Sequence, residues 1–136
     1  MAISIISAKQ FAKKLKATIQ QSGRLGFTAD TATALGFQSE KFARFAQDDE
    51  NGALYLIINS EASDDAFPLK LSSNYYFVET RQMFDMLGYD YKNYNIMFDL
   101  IRKPSLDDIL QGQVYFMKQR MNPRKDKTND DIISEP

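Results

Sequence analysis

The sequence predicts an α+β fold: two repeated β-β-α-β(-β) units forming a small barrel or paired antiparallel sheets, plus a C-terminal helix. Three observations carry this expectation. Short segments with an apolar residue at every second position mark strands. The stretch SGRLGFTADTATALGF, Ser22 to Phe37, is echoed about fifty residues later by NYYFVETRQMFDMLGYD, Asn74 to Asp90. Beyond Ser105 the apolar spacing becomes that of a helix face.

The elements follow in order. Ser7 is placed to cap one or two helical turns over residues 7–13. Leu15, Ala17 and Ile19 then alternate with Lys14, Lys16, Thr18 and Gln20, a half-buried strand. Ser22-Gly23 marks a turn, where glycine supplies a positive φ at little steric cost. Arg24 to Phe27 is a second strand. Thr28 caps a short helix, residues 29–35, with Asp30 at the positive end of its dipole and Gly36 as a left-handed C-cap. Residues 41–47, KFARFAQ, form a third strand, and Asn51-Gly52 turns the chain into ALYLIIN, residues 53–59, a strand covered on both faces.

After a polar loop the programme restarts. Phe67, Leu69 and Leu71 alternate with polar residues, Ser73-Asn74 turns, and Tyr75 to Val78 is the next strand. Thr80 caps a helix ending at Leu87, with Gly88 as its C-cap, and residues 94–101 close the unit as a strand. At an offset of 52, Leu25 falls on Phe77, Thr28 on Thr80, Leu35 on Leu87, Gly36 on Gly88 and Phe37 on Tyr89. With one inserted residue, Ala43 falls on Ile96 and Phe45 on Phe98. The expected organisation is one domain over residues 1–121, with pseudo-repeats at about 15–59 and 66–102. Each half alone exposes too much apolar strand, so the two are expected to bury one another about a pseudo-twofold axis. Ser105 to Asp108 resembles a capping box, and a helix is expected over residues 105–121. Its apolar stripe comprises residues 106, 109, 110, 114, 117 and 121, widened by Tyr115 and Phe116, before Asn122-Pro123 stops it. Residues 122–136 lack periodicity and are expected to be a disordered tail.

Composition narrows the chemistry. A chain of 136 residues suits one domain burying roughly two thirds of its unfolded surface. It has neither His nor Cys, which removes disulfides, thiolate nucleophiles, imidazole bases and the usual zinc ligands. No glycine-rich phosphate loop occurs, and the acidic runs Asp48-Asp49-Glu50 and Asp64-Asp65 read as exposed turns without calcium-loop spacing. No catalytic residue, metal site or cofactor is expected. The N-terminal segment places apolar residues before its lysines, the reverse of a secretion signal, and no window approaches a membrane span, so a cytoplasmic protein is expected. Net charge is −1 but uneven: residues 1–44 hold seven Lys/Arg against two Asp/Glu, whereas residues 45–101 hold three against ten. Only the first third offers a basic strip for phosphates.

The segment KATIQQSGRLGFTADTATALGF, Lys16 to Phe37, resembles AbrB-type swapped-hairpin transcription regulators. In that family a strand leads through a Gly-Arg turn to an aliphatic strand, a short helix ending Leu-Gly, and a further strand pair. Ala17, Ile19, Gly23, Arg24, Leu25, Leu35 and Gly36 match this pattern, and the likeness is clearest over residues 16–59. Phe27-Thr28 stands where the family places a proline, and Tyr75-Tyr76 replaces Gly-Arg in the second half. The resemblance implies DNA binding and transcription regulation, with Arg24 facing phosphates; strand phasing adds Lys14 and Lys16 beside Lys13. The same lysines also read as a solvated strand face that discourages edge-to-edge aggregation.

A second reading is a protein-interaction or assembly module, joining another protein or a second copy of the chain. Tyr75, Tyr76, Tyr89, Tyr91 and Tyr94 are concentrated in one segment, suited to a stacking platform for single-stranded bases, to a sugar-binding surface, or to packing and an interface, with Glu79, Asp85, Asp90 and Asp99 nearby arguing against nucleic acid there. Leu110, Val114, Met117 and Met121 would form an adaptable apolar ridge on the C-terminal helix.

Overall fold

The computed structural model describes residues 2–8, 14–37, 41–73 and 75–124. The expected helical turn at 7–13, with Lys13, and the tail from 125 onward lie outside the described residues, apart from Ser7 and Ala8. Among the described residues, nine strands and three short α-helices follow in the order β1 (Lys16–Ile19), β2 (Leu25–Phe27), α1 (Ala29–Ala34), β3 (Phe42–Gln47), β4 (Leu54–Asn59), β5 (Phe67–Pro68), β6 (Lys70–Ser72), β7 (Tyr75–Val78), α2 (Arg81–Leu87), β8 (Tyr94–Arg102), a 3₁₀ turn (Pro104–Leu106), α3 (Asp107–Leu110) and β9 (Gln113–Pro123). All the strand pairings are antiparallel, in the order β5-β3-β4-β9-β8-β1-β2-β7-β6. The two ends of that sheet, β5 and β6, are separated only by Leu69, so the sheet curls into a nearly closed barrel. No helix among the described residues is long and apolar enough to cross a membrane.

Period-two alternation sends one set of side chains inward. Ala17, Ile19, Leu25, Phe27, Ala43, Leu56, Ile58, Val78, Ile96, Phe98, Tyr115 and Met117 join one buried cluster with Phe84 of α2 and Leu35 and Phe37 after α1. The Phe84 ring lies within 6.3 Å of Phe98 and 5.2 Å of Tyr89, so α2 plugs the barrel with an aromatic group. Both longer helices end as their glycines require. The Gly36 and Phe37 amides bond to the Thr33 and Ala32 carbonyls, and Gly88 and Tyr89 do the same to Asp85 and Phe84, with Gly36 and Gly88 left-handed.

Two capping expectations resolve differently. Thr28 does cap α1, accepting from the Thr31 amide at 3.2 Å. Thr80 begins α2 but makes no side-chain cap; its buried hydroxyl instead donates to the Gly23 carbonyl at 2.9 Å. The β1–β2 turn is thereby fastened to the start of α2. A Cβ on Gly23 would sit 2.8 Å from Arg81 Cβ and 2.9 Å from its Cα, and the residue has φ +90°.

The C-terminal helix expected over residues 105–121 is not what the chain forms. Helix α3 stops at Leu110, Gln111 turns left-handed (φ 59°), and β9 runs from Gln113 to Pro123. Ser105 lies in the 3₁₀ turn and provides no cap. Gly112 fixes the break: a Cβ there would lie 2.5 Å from Ile57 Cγ2 and 2.8 Å from Asn59 Nδ2. The deeper reason is backbone pairing. Between them β4 and β8 need a strand, and β9 bonds to both, covering Leu54–Ile58 on one side and Tyr94–Arg102 on the other. Asn122 and Pro123, assigned to the tail by sequence, complete β9; Arg124 then donates to the Tyr91 carbonyl at 2.9 Å and to Asn95 Oδ1.

Replacing Gly23 by Ala is expected to destabilise the protein by about 2–4 kcal/mol, combining backbone strain with the Arg81 clash. Gly52→Ala, at φ 76° with open space around it, carries the strain alone and costs about 1–2 kcal/mol. Equal shifts in urea midpoint for the two variants would refute the contact with α2. Thr80→Val, which keeps the side-chain shape but leaves the Gly23 carbonyl unpaired, is expected to cost about 1–3 kcal/mol in the same measurement.

Candidate nucleic-acid interface

Because the barrel interior takes one alternation of each strand, the other alternation forms its outer wall. Across β9, β8 and β1 the register sets Lys118 opposite Asp99 and Asp99 opposite Lys16. One step along, Arg120 stands opposite Met97, and Met97 opposite Thr18. Arg120 also reaches diagonally to Asp99, with its guanidinium 3.1 Å from the carboxylate. Lys14, two residues before Lys16, belongs to the same alternation and is exposed. Among the described residues, Lys16 and Lys118 thus stand opposite Asp99 in the register and Arg120 bonds to it, while Lys14 lies one repeat further along the same face; the Asp99 side chain is only 15% exposed. Lys118 and Arg120 were hidden from the sequence reading by the helix assignment. The signal that finds them is alternation within residues 115–120, where Tyr115 and Met117 enter the core and Phe116, Lys118 and Arg120 do not.

Arg24 is engaged elsewhere. Its guanidinium lies 4.2 Å from the centroid of the Phe77 ring and 3.5 Å from Glu79, which also lies 3.9 Å from Lys70 Nζ. Phe77 stands opposite Gly26, and Tyr75 stacks on Phe77 at 5.9 Å. This patch of outer wall carries its own acid, so its positive charge is locally offset.

The five tyrosines do not share one surface. Tyr75 lies on the outer wall beside Phe77, where burial raises its pKa. Tyr76 turns inward to Phe37, with ring centroids 5.4 Å apart. Tyr91 is buried and donates its hydroxyl to Asp85, and that bond, with burial, raises its pKa. Tyr89 and Tyr94 are half-buried and line an open depression of about 430 Å³ at one end of the barrel, with Leu87, Ile96, Gln119 and Met121. Met121, 48% exposed, is thus brought beside two of the candidate tyrosines. The other members of the expected ridge separate: Leu110 ends α3, Val114 is buried on the outer wall beside Ile57, and Met117 enters the core.

The α3 segment is itself anchored. Arg102 and Asp107 form a bidentate pair at 2.7 Å, and this hydrogen bonding holds the Asp107 carboxyl below its ordinary pKa. Arg44 donates to the Leu110 carbonyl at 2.7 Å, and Asn59 to that of Gln111 at 2.7 Å. The segment therefore lies across β4 and β9, adjoining Ile57 at Gly112. Among the described residues, no group of three or more carboxylates is placed to hold a metal ion.

Tyr75, Tyr89, Tyr91 and Tyr115 all titrate above the ordinary tyrosine value of 10.0. Their stabilising effect is present below that value and is lost as pH rises through the higher folded values. The urea midpoint is expected to hold steady from about pH 8 to pH 9.5 and to fall above about pH 10, less steeply in Tyr91→Phe. A midpoint unchanged to about pH 11 would contradict these environments. Comparison with known protein families, with curated proteins and with solved structures finds no match to this chain.

Proposed function

We propose that this chain is a non-catalytic nucleic-acid-binding protein that uses the outer wall formed by β1, β8 and β9. The observation that carries the reading is that the pairing of β1, β8 and β9 brings Lys16, Lys118 and Arg120 onto one stretch of outer wall, with Lys14 two residues before Lys16 and Asp99 bonded to Arg120. Clustered cations that displace counterions from phosphates supply most sequence-independent affinity. Lys14 and Lys16 keep the role given them by strand phasing, and Lys118 and Arg120 join them. Arg24 does not, because it lies on another stretch of wall, over Phe77 and beside Glu79.

In this reading the barrel consists of two units, β1-β2-α1-β3-β4 and β5/β6-β7-α2-β8-β9, in the manner of a single-chain AbrB-like regulator. The pairing scheme supports it. Exchanging the units turns β1–β2 into β6–β7, β3–β4 into β8–β9 and β1–β8 into β5–β3, and leaves β2–β7 and β4–β9 paired with each other. The equivalent cap bonds after α1 and α2 share the offset of 52 seen in the sequence.

A second reading, an assembly module, is favoured by one observation: Tyr89, Tyr94 and Met121 meet in the depression at the barrel end. Fluorescence anisotropy with labelled nucleic acid separates the two. Binding at about 50 mM salt is expected to weaken steeply as salt rises. Combined Lys16→Ala, Lys118→Ala and Arg120→Ala changes should shallow the salt slope by about one per cation removed, while Arg24→Ala leaves it unaltered. If neither duplex nor single-stranded probes bind at low salt, the nucleic-acid reading fails.

A further inference from the structure

We propose that the ligand of this wall is a single-stranded nucleic acid, its bases stacking on Tyr55 and Phe116 while its phosphates follow Lys14, Lys16, Lys118 and Arg120; this rests on the nucleic-acid reading above. The register across β3, β4, β9 and β8 sets Ala46, Tyr55, Phe116 and Ile101 in one outward row. The Tyr55 and Phe116 rings lie 5.6 Å apart, inclined by 51°, and both are half-buried. Ile101, at 40% exposure, extends the apolar row toward Lys14. The next outward position on β9 is Lys118 and on β8 is Asp99, so the aromatic row runs directly into the basic one. One pleat repeat, about 7 Å, separates them along the strands.

Paired aromatic rings beside a row of cations are what an unpaired strand recognises. Every base offers a π-face for stacking, and the backbone needs only positive charge that tracks it. A duplex has its base faces already stacked and shows only edges inside its grooves. A broad sheet wall does not enter the major groove, which admits a helix or a two-stranded ribbon, so Tyr55 and Phe116 would gain nothing from a duplex. The borders of the patch agree. On one side the α3 segment lies over the next outward row, where Ile57 and Val114 are buried. On another, the acidic Asp48–Glu50 turn of the β3–β4 hairpin repels phosphate and leaves the β8 and β1 side as the backbone path. The Tyr75–Phe77 stack lacks such a path, since Glu79 stands beside it with Arg24.

The test is fluorescence anisotropy of the full chain with oligo-dT, oligo-rU and a duplex of equal length. The single strands are expected to bind at least about tenfold more tightly than the duplex, the oligo-dT and oligo-rU arms showing which sugar is preferred. Tyr55→Leu and Phe116→Leu, which keep apolar bulk, should each weaken single-strand binding about 5- to 100-fold. Tyr55→Phe keeps the ring and should retain binding, which controls for folding. With no Trp in the chain, tyrosine emission reads stacking directly, and oligo-dT should quench it less in Tyr55→Phe. Duplex bound as tightly as single strands, or leucine variants that bind single strands unchanged, would overturn the stacking proposal while leaving the nucleic-acid reading in place. Failure of every probe would remove both.

Discussion

Closure of the barrel is the constraint from which the remaining geometry follows. An open antiparallel sheet presents two rows of unpaired amides and carbonyls. Here one short stretch, Phe67 to Ser72, serves both ends. Its first half pairs with β3 and its second half with β7. Once the ends meet, every strand has a definite inside and outside. The inside takes the large apolar residues, and Phe84 fills the space left between the walls. The outside, apart from the covered stretch at Ile57 and Val114, is left free to carry charge.

That division makes the outer wall interpretable. Asp99 stands between Lys16 and Lys118 in the register and is bonded to Arg120, so one acid sits among three cations of neighbouring strands. Beyond β2, Glu79 receives both Arg24 and Lys70, so two cations there share one acid. Two patches of similar composition thus differ in what they offer a polyanion. The distinction lies in which side chains the register brings across strands, not in how many lysines the segments contain.

Much of this was legible from local chemistry. The alternation at Leu15, Ala17 and Ile19, the Asn51-Gly52 turn, and the Leu-Gly stops at Gly36 and Gly88 each rest on constraints within a few neighbouring residues, and they point to an antiparallel α+β domain in which barrel and paired sheets are both open. The last strand was not legible in that way. Val114, Tyr115, Phe116 and Met117 are apolar on both faces, because Val114 lies on a covered part of the wall while Tyr115 and Met117 face the core. Such a run carries no clear period. Gly112 was the available warning, and it acquires force only from Ile57 and Asn59, distant in sequence. Thr80 teaches the same lesson: a threonine before a helix reads as a cap, yet its hydroxyl serves a turn in the other half of the chain. The aromatic wall of Tyr55 and Phe116 went unseen for a related reason, since its two rings come from strands joined only by tertiary pairing.

The seam that completes the ring is uneven. β8 and β9 are joined along Tyr94 to Arg102, but β3 and β5 meet at Phe42 with Pro68 and Ala43 with Phe67, extended by a 3.3 Å bond from the Leu69 amide to Lys41. Pro68 has no amide to contribute. The ring therefore has a clasp, held by fewer paired positions than any other strand–strand junction described. Were the ring opened there, its two free edges would match those of a second opened copy, and closure across two chains would reuse the same pairings as closure within one.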